Sequence, residues 1–170
     1  IALSLKKLKE LEHKDPVALV FTDMEVVSED LKQERGSFLA LQKLNPDWIN
    51  NPNNLLAQSI AAGCTMIFTS HLVKLVKPIS APLFQHDHWL LINAAIYGYV
   101  GFCQERTVRY RQHSYNTIGS HEINWAYFSK KIKEVSKVVR RWAYIKISFS
   151  RKVNVLYLFF AKLKVNLARL

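Results

Sequence analysis

The stretch "HDHWLLINAAIYGYVGFCQERTVRYRQH", residues 86–113, decides the fold class, because its hydrophobic pattern changes character at one glycine. From His86 to Tyr97 it is mostly apolar and long enough for a buried helix, which Gly98 ends. Beyond the glycine, "YVGFCQ" and "TVRYRQH" are rich in β-branched and aromatic residues and read as two β segments. Upstream, "DPVALVFTDMEVV" (15–27) predicts a turn at Asp15 and Pro16, then a buried strand over Val17–Thr22 ending at the acid Asp23. Before that, Leu3, Leu5, Leu8 and Leu11 have helical spacing with lysines between. Helix and strand alternate, so the chain is expected to be α/β.

Working outward, residues 28–54 are polar and rich in Asn, Pro and Gly, a long excursion with one helical turn expected around Phe38 to Leu44. Asn54 is placed to cap a short helix through Gln58, and Gly63 permits a sharp turn. Cys64 to Phe68 reads as a short strand, and Ser70 as the cap of a helix stopped by Pro78. From Gly119 on, Ile132, Val135, Val139, Trp142 and Ile145 recur at helical intervals among lysines and arginines, predicting two helices broken near Ser148 to Ser150. No internal repeat or low-complexity segment is visible.

The chain has 170 residues, of which 49% are hydrophobic and 12% aromatic, with five Gly and five Pro. That composition excludes disordered, collagen-like and disulfide-scaffold classes and leaves room for one real core. Cys64 and Cys103 are too far apart for a CxxC zinc or redox motif, which suits a reducing cytoplasm. The opening segment lacks the features of a signal peptide, and no run reaches the roughly 18 to 20 uncharged apolar residues that span a bilayer. Beginning at Ile1 rather than Met, the sequence reads as cut from inside a longer protein. The net charge of +11 is unevenly placed: residues 1–120 carry 12 Lys and Arg against 11 Asp and Glu, and residues 121–170 carry 12 against 2. Two units follow, a nearly neutral 1–120 and a basic helical tail, 121–170.

Three places could hold chemistry. Asp87 sits near the start of an apolar helix, where free amides and the helix dipole keep a carboxylate ionised. Spacing alone leaves two readings open, a proton acceptor and a plain N-cap. His86 and His88 have a metal-pair spacing with no third ligand nearby. Arg109, Arg111 and His113 recur at period two, so a strand would send all three to one face. They suit an anionic ligand such as a phosphate, with His113 able to coordinate a divalent ion; a solvated face paired with Glu105 is the alternative. Asp23 follows a buried strand, where α/β sheets place ligand groups or simply cap a turn. Cys64 reads as a small core residue rather than a nucleophile.

Taken together, "TDMEVVSEDL" (22–31), "NNLLAQSIAAGCTMIFTSHLVKLVKPI" (53–79), "HDHWLLINAAIYGYVGF" (86–102) and "TVRYRQHSYNTIGS" (107–120) resemble, in consistent order, the later half of bacterial family-2 glycosyltransferases. The likeness is to rhamnosyltransferase-like enzymes that build surface polysaccharides, and it covers about residues 15–120. It implies part of the nucleotide-diphospho-sugar transferase (GT-A) fold, a mixed sheet with flanking helices. It also implies an inverting transfer of a sugar from a nucleotide-sugar donor to a saccharide or lipid-linked acceptor. By that resemblance Asp87 is the catalytic base, and Arg111, Gln112 and His113 contact the diphosphate and its divalent cation, Mg or Mn, with His113 as a metal ligand. Gly63, Cys64 and Thr65 line the acceptor and donor-sugar pocket, and His86 and Trp89 flank the base.

The resemblance further implies an earlier half, carrying the first nucleotide-binding strands and a "SDQDDxW"-like segment, without counterpart here. The chain alone is therefore expected to be inactive and to expose a sheet edge open to self-association. Its basic tail, with Trp125, Trp142, Tyr144 and Tyr157 among lysines, suits either an anionic membrane surface at the cytoplasmic side or packing of one face on the domain. The competing non-enzymatic reading is a basic module binding such a surface or an acidic polymer. Nucleic acid is not an expected partner, because the core is nearly neutral and no recognition motif is present.

Overall fold

A ten-residue strand without an alternating pattern must be covered on both faces, and the burial of nearly every residue of β1 (Ala18–Val27) shows that it is. The structure, a computed structural model, describes residues 1–76, 84–113, 135–149 and 153–169. The chain is α/β, with a mixed four-stranded sheet among the described residues and flanking helices. Helix α1 (Ala2–Glu12) leads into β1; β2 (Glu34–Ser37), α2 (Phe38–Leu41) and α3 (Pro52–Ala57) follow. Then come β3 (Ile67–Phe68), α4 (Ser70–Leu75), α5 (His86–Tyr97) and β4 (Tyr99–Arg111). Two tail helices, α6 (Val135–Ser148) and α7 (Val155–Ala168), complete the described elements.

β1 is the axis of the sheet. β4 runs parallel along one edge of it, from Ala18↔Tyr99 to Val27↔Arg111. On the other edge β3 pairs antiparallel at Leu19 and Val20, and β2 pairs antiparallel at Glu25 to Val27. Leu8 and Leu11 of α1 pack on Ala18 and Val20. On the opposite face Leu19 and Phe21 meet Leu55, Leu72, Leu91 and Ala94 of α3, α4 and α5. A second core joins α5 to the tail, with Trp89 and Ile92 against Ile145, Phe149 and Leu158.

The first strand runs past its predicted end at Thr22, because pairing with β2 and β4 gives its acids partners; Asp23 lies inside the strand and not at its end. The two expected β segments after Gly98 form a single strand whose register slips opposite Thr22 to Met24. The excursion over 28–54 holds β2, α2 and the start of α3, and α3 is capped by the Asn51 side chain, while Asn54 is buried inside it. The short strand is confined to Ile67 and Phe68, since Gly63–Thr65 forms a 3₁₀ turn. Thr69, not Ser70, holds the N-cap position of α4, and its hydroxyl donates to Pro16 O at 2.7 Å instead of capping. Pro78, Trp125 and Ile132 lie outside the described residues.

Gly98 is required by a close approach. A Cβ there would stand 1.8 Å from Val17 O, the atom that accepts the hydrogen bond from Tyr99 N. Gly98→Ala should therefore cost about 3 kcal/mol of stability, read as a lowered urea midpoint, since the backbone of the central pair has to move. An unchanged midpoint would show that the β1 entry yields without cost.

Candidate functional site

Asp87 lies in the first turn of α5 and is not its cap, a place held by Gln85 without a side-chain bond. The acid is half-buried; its Oδ1 accepts from His88 N at 2.7 Å and its Oδ2 from Gly63 N at 3.3 Å. That second bond ties the helix start to the 3₁₀ turn, 24 residues earlier in the chain. A Cβ on Gly63 would stand 2.9 Å from His86 Nε2 and 3.5 Å from Asp87 Cβ, so a larger residue there would have to push the exposed His86 ring aside. Cys64 is exposed rather than a core residue, and its Sγ lies 3.6 Å from Met24 Sδ on β1. Partial desolvation of the sulfur against its neighbours and the Asp87 charge push its thiol pKa up against an opposing backbone hydrogen bond, which makes it a poor nucleophile. Thr65 is buried and donates to Ala62 O at 2.8 Å, so it locks the turn rather than lining a pocket.

The HDHW segment spreads its side chains in different directions. His86 is exposed beside Gly63. His88 turns to α3, its Nε2 at 2.9 Å from Leu55 O, and does not join His86 as a metal pair. Trp89, expected beside the base in the substrate pocket, is only 1% exposed and belongs to the second core. Its ring packs on Phe84, Tyr144 and Phe149, so it fixes the start of α5 from beneath.

Burial holds the His88 imidazole pKa down to about 4, with the Leu55 carbonyl opposing the shift. Above pH 6.5 both folded and unfolded states keep the ring neutral. Below it, the unfolded chain takes a proton that the folded chain refuses until about pH 4, so stability is lost as pH falls through that window. Urea unfolding at pH 4.5 should show about 2 kcal/mol less stability than at pH 7 from this group, and a His88→Gln variant should lose that part of the slope. Equal slopes in the two proteins would refute the buried neutral ring.

A polar cluster that sequence reasoning missed closes this end of the sheet. Ser37 Oγ and Leu39 N donate to the buried Asp23, and Gly36 N donates to Glu25 Oε1 at 2.9 Å. Arg106 bonds Glu25 Oε2 through Nη1 and stands 4.0 Å from Asp23 Oδ2. The only sequence signal was two acids at period two on a strand, which by itself names no partner. Arg106 reaches them because the register slip in β4 brings it opposite Asp23.

At the carboxyl ends of β1 and β4, Arg111 pairs in register with Val27, and Gln112 N donates to Val27 O at 2.9 Å. Gln112 Oε1 accepts from Arg35, and His113 follows, exposed, after the strand has ended. Arg109, Arg111 and His113 are therefore not one strand face throughout, and Arg109 stands 3.7 Å from Glu34 rather than pairing with Glu105. Cys64 marks the Asp87 group at Met24 and Gln112 marks the basic group at Val27, three residues and about 10 Å further along the strand. Among the described residues no three His, Cys, Asp or Glu side chains come together as a ligand set. His113 is thus a single candidate ligand, and these residues do not compose a metal centre by themselves.

Comparison with protein-family models, with curated proteins and with solved structures gives no match to this chain. Among the described residues no helix is long and apolar enough to cross a membrane.

Proposed function

We propose that residues 15–120 are the acceptor-side half of an inverting, nucleotide-sugar-dependent glycosyltransferase of family 2 with a partial GT-A fold, rhamnosyltransferase-like in its motifs. The observation that carries the reading is the hydrogen bond from Gly63 N to Asp87. It joins the segment assigned to the sugar pocket with the acid assigned as base. Neither spacing nor composition requires these segments to meet.

In this reading Asp87 takes the proton of an acceptor hydroxyl as that oxygen attacks the anomeric carbon. The bond from that carbon to the nucleoside diphosphate breaks on the opposite face, and the leaving group departs with the electron pair. Arg111, paired with Val27 at the end of β4, supplies positive charge that suits a departing diphosphate. Gly63 presents backbone to the site, Cys64 and His86 line its open side, and Thr65 and Trp89 hold those residues in place. A divalent cation, Mg or Mn, belongs to the complete enzyme, with His113 as one ligand and the others from outside the described residues.

The test is calorimetric titration with UDP- and dTDP-sugars in the presence of Mg²⁺ or Mn²⁺, on this chain and on a form extended at its N-terminus. Binding and sugar transfer in the extended form alone are expected. No binding by either would sink the transferase reading.

A further inference from the structure

Helix α7 is mostly apolar, with Lys162, Lys164 and Asn166 its polar positions, and only part of its apolar surface is used within the fold. Leu158, Ala161 and Val165 are buried, and Lys162 anchors the same side by donating to Ala57 O and Gln58 Oε1, both at 3.1 Å. Arg169 fastens the end of the helix to Gln42 O at 3.1 Å. The opposite side carries Leu156, Phe159, Phe160, Leu163 and Leu167, each between 47% and 64% exposed. At 100° per residue those five positions fall within an arc of about 100°, a continuous stripe. On α6, Val139 and Ile147 are exposed too, with Arg140 and Lys146 also at the surface. The rings of Trp142 and Phe159, 6.2 Å apart, join the two helices.

The charge says what covers this stripe. Residues 135–170 contain nine Lys and Arg and no Asp or Glu. Lys162 and Arg169 are engaged on the core side, but a second copy would still bring unbalanced positive charge to the contact and be repelled, and a nucleic acid offers no apolar bed for two Phe and three Leu. A bilayer of acidic phospholipids supplies both parts, acyl chains for the stripe and phosphates for the cations, each worth about 1 kcal/mol near the surface. A 14-residue helix, about 21 Å long, is too short to cross but sufficient to lie in the interface plane.

We propose that α7 docks this protein on an anionic phospholipid bilayer, lying in the interface with Leu156, Phe159, Phe160, Leu163 and Leu167 among the acyl chain ends. The inference stands on the tail alone and does not depend on the transferase reading. It differs from simple electrostatic adsorption in requiring the apolar stripe.

The chain is floated with vesicles of phosphatidylcholine alone or mixed with phosphatidylglycerol. Binding to the mixed vesicles is expected to be at least about tenfold tighter than to neutral ones. Phe159→Ser, Phe160→Ser and Leu163→Ser together should weaken it about tenfold or more with every cation kept. Leu156→Gln with Leu167→Gln, at the most exposed stripe positions, gives the same test with the least risk to folding. Leu3→Ser with Leu5→Ser, exposed on α1, should bind as the parent chain does. Failure of the parent chain to float with anionic vesicles overturns the proposal, as does undiminished binding by both stripe variants. A parent dimer that the stripe variants convert to monomer, without vesicle binding, overturns it in favour of a second copy.

Discussion

Asp87→Asn is expected to lower sugar transfer by the N-terminally extended protein about 10³-fold, the scale of a lost general base, at a cost in stability of about 1 kcal/mol that leaves the protein folded. The substitution separates chemistry from architecture. Asp87 accepts from Gly63 N with one oxygen and from His88 N with the other, and the single amide oxygen of asparagine keeps one of these bonds, so the turn loses at most one weak tie to the helix start. What asparagine cannot do is take a proton from an attacking hydroxyl at neutral pH. Donor binding should stay within about threefold, because the groups proposed for the diphosphate meet β1 at Val27, three residues beyond Met24, which the Asp87 turn touches through Cys64. The measurement is kcat for transfer together with thermal unfolding of both proteins. A variant that turns over at the parent rate would leave Asp87 as a residue that merely fastens the turn.

Trp89→Ala should cost about 4 kcal/mol, a large share of the 5 to 15 kcal/mol that holds a domain of this size together. Trp89 is among the largest side chains fully buried here, and its ring centre lies 5.2 Å from Phe84, 5.4 Å from Tyr144 and 5.5 Å from Phe149. These partners come from the approach to α5, from α6 and from the end of α6, so truncation leaves a cavity that no single element can collapse to fill. The backbone is committed as well, since Trp89 O accepts from the buried Asn93 side chain. Urea unfolding should show the loss, together with earlier proteolysis of the tail. A cost below about 1 kcal/mol would mean that the aromatic cluster contributes little and that α6 is held elsewhere.

Several elements were legible in the residues themselves. The helix over His86–Tyr97 and its stop at Gly98 are local, written in an apolar run and a glycine. The two tail helices, with their break after Ser148, are likewise visible in 3.6-residue periodicity. Other readings failed for identifiable reasons. Thr22 looked like a strand end because two acids follow within three residues, and acids are rare in a buried strand. They are accommodated only because Ser37, Gly36 and Arg106 reach them, the last from 81 residues beyond Glu25. Cys64 was read as core from its residue type, whereas its place on a turn at the edge of the sheet exposes it. The resemblance set Trp89 beside the base, yet on a helix residues two apart point about 200° from each other, and its ring goes to the core.

The α/β class, the helix over 86–97 with its glycine stop, and the concentration of positive charge after residue 120 are readable from the residues alone. All of these follow from short-range rules, the period of apolar residues, the steric freedom of glycine and the sign of side chains. That Gly63 meets Asp87, that Arg106 closes over Asp23 and Glu25, and that α7 sets one apolar side on the core and another outward come from the packing of distant segments. Periodicity states which face of an element is apolar but not what that face will touch. The pairing of β3 and β4 with β1, which brings distant segments to one place, depends on registers that no local pattern encodes.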